Sequence, residues 1–154
     1  MSSIEERLGA LGLTLPEPAS PVANYIPFTV SGRMLFISGQ VPRREGKIWP
    51  VGQLGAGVSL EDGQAGAANC FLQILAHARN AAGGDLSRIT RVLRLTGYVN
   101  SAPGFGDQPA VINGASDLAV AVLGEAGRHA RSAVGVAALP GGAAVEVEAI
   151  LELA

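Results

Sequence analysis

Aromatic side chains and charge are both scarce in this 154-residue chain: Phe, Trp and Tyr make up 5% of it and Asp, Glu, Lys and Arg 16%, against about 25% charged residues in an average globular protein. The core must therefore be aliphatic. Few charges and a mean hydropathy of +0.32 suit either a membrane protein or one that buries apolar faces against copies of itself. No stretch approaches the ~18 uninterrupted apolar residues of a spanning helix, which excludes the first. Met1-Ser2-Ser3-Ile4-Glu5-Glu6-Arg7 lacks the basic head and apolar body of a secretory signal. The expectation is a soluble, cytoplasmic oligomer. Cysteine is limited to Cys70, so no internal disulfide is possible and a reducing compartment fits. With His77 and His129 far apart, no metal-ligand spacing exists; neither a metal nor a cofactor is expected.

Basic residues number 11 against 13 acidic ones, and only Arg43-Arg44 and Arg128 with Arg131 lie close together. A basic, aromatic-lined surface for nucleic acid is not visible. Gly52, Gly55 and Gly57 neither follow a strand nor lead into Lys-Ser/Thr, so they do not form a phosphate loop.

The length suits one domain, 1–154. Residues 1–20 read as an N-terminal helix, Ile4 to Leu11 with Ser2 or Ser3 as N-cap, and a lead-in stiffened by Pro16, Pro18 and Pro21. Tyr25 to Val30 and Met34 to Gln40 alternate around Ser31-Gly32 as a hairpin, and Lys47-Ile48-Trp49 reads as a short third strand. Ser59 caps a long helix over residues 60 to 82, with Ala67, Phe71, Ile74, Leu75 and Ala78 at helical spacing and Gly83-Gly84 as its stop. A strand runs from Ile89 to Val99, with Asn100 to Gly104 as a loop. A second helix is capped by Asp107, with Pro109 in its first turn. The chain then reads as a terminal hairpin: an apolar strand opening on Arg131, a turn at Leu139-Pro140-Gly141-Gly142, and a return strand with Glu146 and Glu148 on one face.

Arg131 opens an apolar strand, where a guanidinium needs partners; a bound carboxylate and an ion pair with a nearby glutamate both satisfy it. Glu146 is a general-base candidate if burial raises its pKa, and Glu148 reads as a solvated surface residue. Tyr25 serves either as a cleft wall or as a half-buried strand residue. Ser38-Gly39 is either a ligand contact or a turn, and Asn100 either a ligand contact or a loop brace. Cys70 reads as an inert packing group, His77 as a surface or boundary residue of the long helix, and His129 as a potential acid/base helper.

Four blocks carry a resemblance: Asn24-Tyr25-Ile26-Pro27, Ile37-Ser38-Gly39-Gln40-Val41-Pro42, Gly84-Asp85-Leu86 through Val99-Asn100, and Ala130-Arg131-Ser132 through Glu148-Ala149-Ile150. In this order they resemble the YjgF/RidA/L-PSP family over nearly the whole chain after the first twenty residues. The Val51 to Gly55 loop and the passage from Asn113 to Arg131 are similar to its divergent, chorismate-mutase-like endoribonuclease branch. The resemblance implies an α+β fold, a mixed chorismate-mutase-like sheet with two helices packed on one face. It also implies a homotrimer with clefts between subunits and hydrolysis of 2-imino acids to 2-keto acids and ammonia without a cofactor. A non-catalytic small-carboxylate binder and an endoribonuclease are the competing functions. By similarity Arg131 holds the substrate carboxylate, Glu146 positions or activates water, and Tyr25, Ser38, Gly39 and Asn100 line the cleft. Many imine deaminases carry cysteine where this chain has Ala133; that change, with Gly135 beside it, implies a roomier pocket.

Overall fold

The computed structural model describes residues 3–18 and 23–154. Helix α1 spans Ile4–Ala10 and starts in a reciprocal cap: the Ser3 hydroxyl accepts from Glu6 N–H, and the Glu6 carboxylate accepts from Ser3 N–H. Ser2 and Pro21 lie outside the described residues. Strands β1 (Phe28–Ser31) and β2 (Met34–Gln40) form the expected hairpin. β1 begins three residues later than Tyr25 because Ile26 and Pro27 lend their carbonyls to the side chain and backbone of Ser38 instead. Lys47–Ile48 does form a short strand, but it pairs with Arg43–Arg44 outside the main sheet, across a turn in which Glu45 and Gly46 both have positive φ.

Helix α2 (Leu60–Ala81) begins where the Ser59 hydroxyl accepts from Asp62 N–H. Strand β3 (Ile89–Asn100), helix α3 (Gln108–Leu123), strand β4 (Ala130–Val136) and strand β5 (Val145–Leu153) complete the domain. Asp107 precedes α3 but makes no capping bond, its backbone being outside the extended region an N-cap needs.

The main sheet runs β1-β2-β5-β3-β4. This order overturns the terminal hairpin: β4 and β5 follow each other in sequence but flank β3 on opposite sides, β4 parallel to it and β5 antiparallel. A parallel neighbour requires a crossover, which α3 supplies. The apolar patterns of two adjacent segments cannot reveal that a third strand lies between them.

Both long helices cover one face. Leu35 and Ile37 of β2, Leu95 and Val99 of β3, and Val145, Val147 and Leu151 of β5 turn toward α2 and α3 and are buried. Each strand thus alternates between core and open face. Glycine allows the helices to approach closely: a Cβ on Gly114 would strike the Gln64 carbonyl of α2, and one on Gly97 would strike Ile112 of α3. The opposite face carries no helix. There Met34, Phe36 and Val134 are 38–45% exposed, an apolar surface of the kind that proteins usually bury against a partner. Among the described residues no helix is long and apolar enough to cross a membrane.

Candidate functional site

Arg131 pairs with Leu95 of β3, and Leu95 with Ala149 of β5. That row faces the helices, so the arginine at the sheet edge points to α3. Its Nη1 donates to Asn113 Oδ1 at 2.8 Å and to Ser116 Oγ at 3.2 Å, and its Nη2 to the Pro109 carbonyl at 3.4 Å. Asn113 and Ser116 stand three apart on α3 and therefore share a face. All three acceptors are neutral. Among the described residues no carboxylate pairs with Arg131; the ion pairs there join Arg33 to Glu152 and Arg128 to Glu125. A guanidinium has five N–H donors, so Nε–H and one Nη2–H are left for a ligand.

Glu146 belongs to the other face. It pairs with Tyr98, which pairs with Val134, and this row looks away from the helices. Between Ile37 and Gln40 the β2–β5 register slips, a bulge that sets Ser38-Gly39 beside the glutamates. Gly39 leaves room for this carboxylate: a Cβ would stand 2.9 Å from Glu146 Oε2 and would make the side chain shift. Burial, and then the neighbouring charge of Glu148, raise the Glu146 pKa above its ordinary value.

Glu148 corrects the expectation of a solvated residue. Its Oε1 accepts from the Tyr98 hydroxyl at 2.8 Å, and it lines a cleft of about 340 Å³ with Phe28, Phe36, Ser38, Arg94 and Thr96. Arg94 donates to Ser132 Oγ at 2.7 Å across the same face.

Ser38 gives its hydroxyl proton to the Ile26 carbonyl at 3.0 Å and so ties down the segment that carries the exposed Tyr25. Asn100 ends β3 as a buried side chain. Its Nδ2 donates to the Ala143 carbonyl at 3.2 Å, but its Oδ1 is buried without a partner, an acceptor that costs free energy until something donates to it. Ala133 faces the helices and packs against the core. The space beside Gly135 is not pocket space: Gln108 Nε2 and Ser101 Oγ would stand 2.8 and 3.0 Å from a Cβ there.

Within one chain the structure therefore sets Ser38 and Gly39 beside the glutamates at the β2 bulge, leaves Tyr25 exposed on the segment that Ser38 ties down, buries Asn100 at the end of β3, and holds Arg131 and Ala133 on the other side of the sheet. Asn113 and Ser116, the anchors of Arg131, escaped sequence reasoning; their spacing on α3 was the available signal. His77 corrects a second expectation, being 2% exposed with an unpartnered Nδ1, and burial lowers its pKa. Cys70 is fully buried, and burial, then the charge of Glu146, push its thiol pKa well up, leaving it a packing group. No cluster of three or more His, Cys, Asp or Glu able to hold a metal ion occurs among the described residues.

A family model described as YjgF/chorismate-mutase-like, putative endoribonuclease, matches residues 5–153. Protein TCP17 of Trypanosoma cruzi is 49% identical over 151 residues, 97% of this chain and 94% of the relative. The crystal structure of Atu1372 from Agrobacterium tumefaciens, a protein of unknown function, superposes with a TM-score of 0.93 at 51% identity, covering 98% of this chain and 92% of that one. RidA from the Antarctic bacterium Psychrobacter sp. PAMC 21119 superposes with a TM-score of 0.62 at 29% identity, over 89% of this chain and 94% of that one. The sheet with two helices on one face, the bulge at Ser38-Gly39 and a family match over almost the entire length lead to one conclusion: the chain belongs to the YjgF/chorismate-mutase-like family.

Proposed function

We propose that this protein hydrolyses 2-imino acids to 2-oxo acids and ammonia in clefts formed between subunits of a homotrimer, in the cytoplasm. The observation that carries the reading is the Arg131 guanidinium: its charge has no carboxylate partner among the described residues, and its unused N–H pair matches the two oxygens of a ligand carboxylate. The carboxylate of a 2-imino acid is bonded directly to the imine carbon, so fixing one places the other. Such positioning supplies several kcal/mol of barrier reduction, up to about 7–11 in ideal cases.

Water then adds to the imine carbon and gives one proton to a base, which passes it to the nitrogen; the hydroxyl proton of the resulting carbinolamine follows by the same route as the C–N bond breaks, so nitrogen leaves as ammonia and the carbon becomes a ketone. Glu146, whose pKa burial raises above the ordinary carboxylate value, suits the base, because a general base works better as its pKa moves toward the working pH. Attack on an iminium needs no cofactor.

Arg131 and Glu146 lie on opposite faces of one sheet, so a single cleft can use both only if two chains contribute. The exposed apolar residues of the open face supply a surface for that association. Binding without catalysis is the second reading, supported by the completeness of the Arg131 anchorage within one chain. Endoribonuclease action is disfavoured by the net charge of −2 and the pI of about 5.6, since RNA contacts rest largely on basic residues.

The test is to generate 2-iminobutanoate enzymatically and time ammonia release with and without the protein. Acceleration that disappears in Arg131→Ala is expected. No acceleration overturns the catalytic reading, and if 2-oxobutanoate still stabilises the protein thermally, binding alone remains.

A further inference from the structure

The anchorage of Arg131 has a second layer. Ser116 Oγ, which accepts from Arg131 Nη1, lies 2.9 Å from His129 Nε2, and His129 Nδ1 lies 2.6 Å from the Gly127 carbonyl. A carbonyl only accepts, so Nδ1 carries a proton. In the neutral ring Nε2 is then the acceptor and takes the hydroxyl proton of Ser116. That leaves the lone pairs of Ser116 for the guanidinium. The donors therefore run in one direction, from Arg131 to Ser116 to His129 to the Gly127 carbonyl: the arginine only gives, the carbonyl only receives, and Ser116 and His129 each do both.

The fold brings these groups together by simple rules. His129 stands two residues before Arg131, so both project toward the helix layer as the chain enters β4. Ser116 meets them from α3, and the turn Gly124–Gly127 supplies the terminal carbonyl. A Cβ on Gly127 would strike the Ala119 carbonyl, so glycine is what allows this turn to lie against α3 and present its oxygen to the ring.

We propose that Ser116 and His129 are positioning residues for Arg131, holding its guanidinium so that the unused N–H pair meets the ligand carboxylate. The proposal rests on the reading of Arg131 as a carboxylate grip. A free arginine side chain has many rotamers to lose, and a cation fixed before the ligand arrives avoids that loss on binding. Without His129 the Ser116 hydroxyl is free to rotate, and its oxygen no longer has a set direction toward Nη1. Asn113 supplies a second, independent hold, so loss of the chain of bonds weakens the grip without abolishing it.

The test compares Ser116→Thr with Ser116→Val, which differ by a hydroxyl in nearly the same shape, beside His129→Leu, the Ser116→Val/His129→Leu double variant and Arg131→Ala. Calorimetry with 2-oxobutanoate reads affinity, and thermal melts read stability. Ser116→Val and His129→Leu should each weaken binding about tenfold, as loss of a hydrogen bond to a charged group does, with Ser116→Thr within about twofold of wild type. The double variant should bind no more weakly than either single one, because one chain of bonds is broken only once. Equal affinity in the Val and Thr variants, or losses that multiply, overturns the proposal. If Arg131→Ala binds as wild type does, or wild type does not bind, the carboxylate reading itself fails and the proposal with it. A loss in Arg131→Ala with none in Ser116→Val sinks only the positioning role. Nitrogen NMR of wild-type His129 gives a check that needs no variant: the Nδ1–H tautomer is expected, and the Nε2–H tautomer refutes the direction of the chain.

Discussion

The two faces of the sheet hold their functional groups in different ways. On the helix side Arg131 is fixed by neutral acceptors from α3, with His129 behind them; its charge is uncompensated but its position is determined. On the open side Glu146 is held by shape and burial, against the bare backbone of Gly39 and beside Glu148. One group is prepared by hydrogen bonds, the other by desolvation and crowding. The comparison teaches that a cation keeps its charge while its geometry is set, whereas a carboxylate has its charge adjusted by what surrounds it.

The strongest way to break this picture is complementation. Arg131→Ala and Glu146→Gln should each lose roughly 100-fold or more in imine hydrolysis, as removal of a group acting in the transition state does. If a cleft draws its arginine and its glutamate from different chains, co-refolding the two inactive variants at equal amounts should restore about a quarter of wild-type activity by random assortment. No recovery would mean that one chain supplies both groups.

Gly39→Ala sharpens the shape side. A Cβ 2.9 Å from Glu146 Oε2 must displace the carboxylate, and misplacement on the scale of an ångström costs up to about 100-fold. Activity should fall about tenfold or more while 2-oxobutanoate affinity, set on the other face, changes little. Equal losses in both would show that the faces are not independent.

The desolvation side has a smaller effect with a definite sign. The folded Glu146 pKa lies above its unfolded value of 4.5, so folding favours the protonated form. Its contribution to stability is fully present below pH 4.5 and is lost as pH rises through the raised folded value. Glu146→Gln, always neutral, should therefore melt above wild type at pH 7, with the gap closing as pH falls toward 4. A variant less stable than wild type at pH 7 would contradict the burial cost. The smallest effect concerns Cys70: buried with a raised pKa, it should resist iodoacetamide in the native protein and react fully in denaturant, as mass spectrometry would show.

Local structure was readable where periodicity and punctuation agree. Met34 to Gln40 alternates cleanly and is a strand; Ser59 and Gly83-Gly84 bracket α2 to within a residue. The terminal strands were found, but their pairing was not, because a parallel crossover leaves no turn residue at the point where β3 inserts between them. For the same reason Arg131 and Glu146, close in sequence, read as neighbours. His77 was misplaced because a histidine on an otherwise apolar helix side is compatible with either surface or core, and only packing decides. Of the groups around Arg131, His129 was visible by its proximity, whereas Asn113 and Ser116 look like ordinary polar helix residues until the strand is laid beside them.

The placement of cation and carboxylate on opposite sides of one sheet also bears on how much protein must be present. A site that needs two chains loses its chemistry when the chains part, however well each one folds. On the proposed reading, turnover per chain would fall on dilution below the dissociation constant of the assembly while the carboxylate grip survived in the dispersed protomer. A few ångströms of sheet thickness would then act as a concentration threshold, dividing a regime in which the protein only holds its ligand from one in which it consumes it.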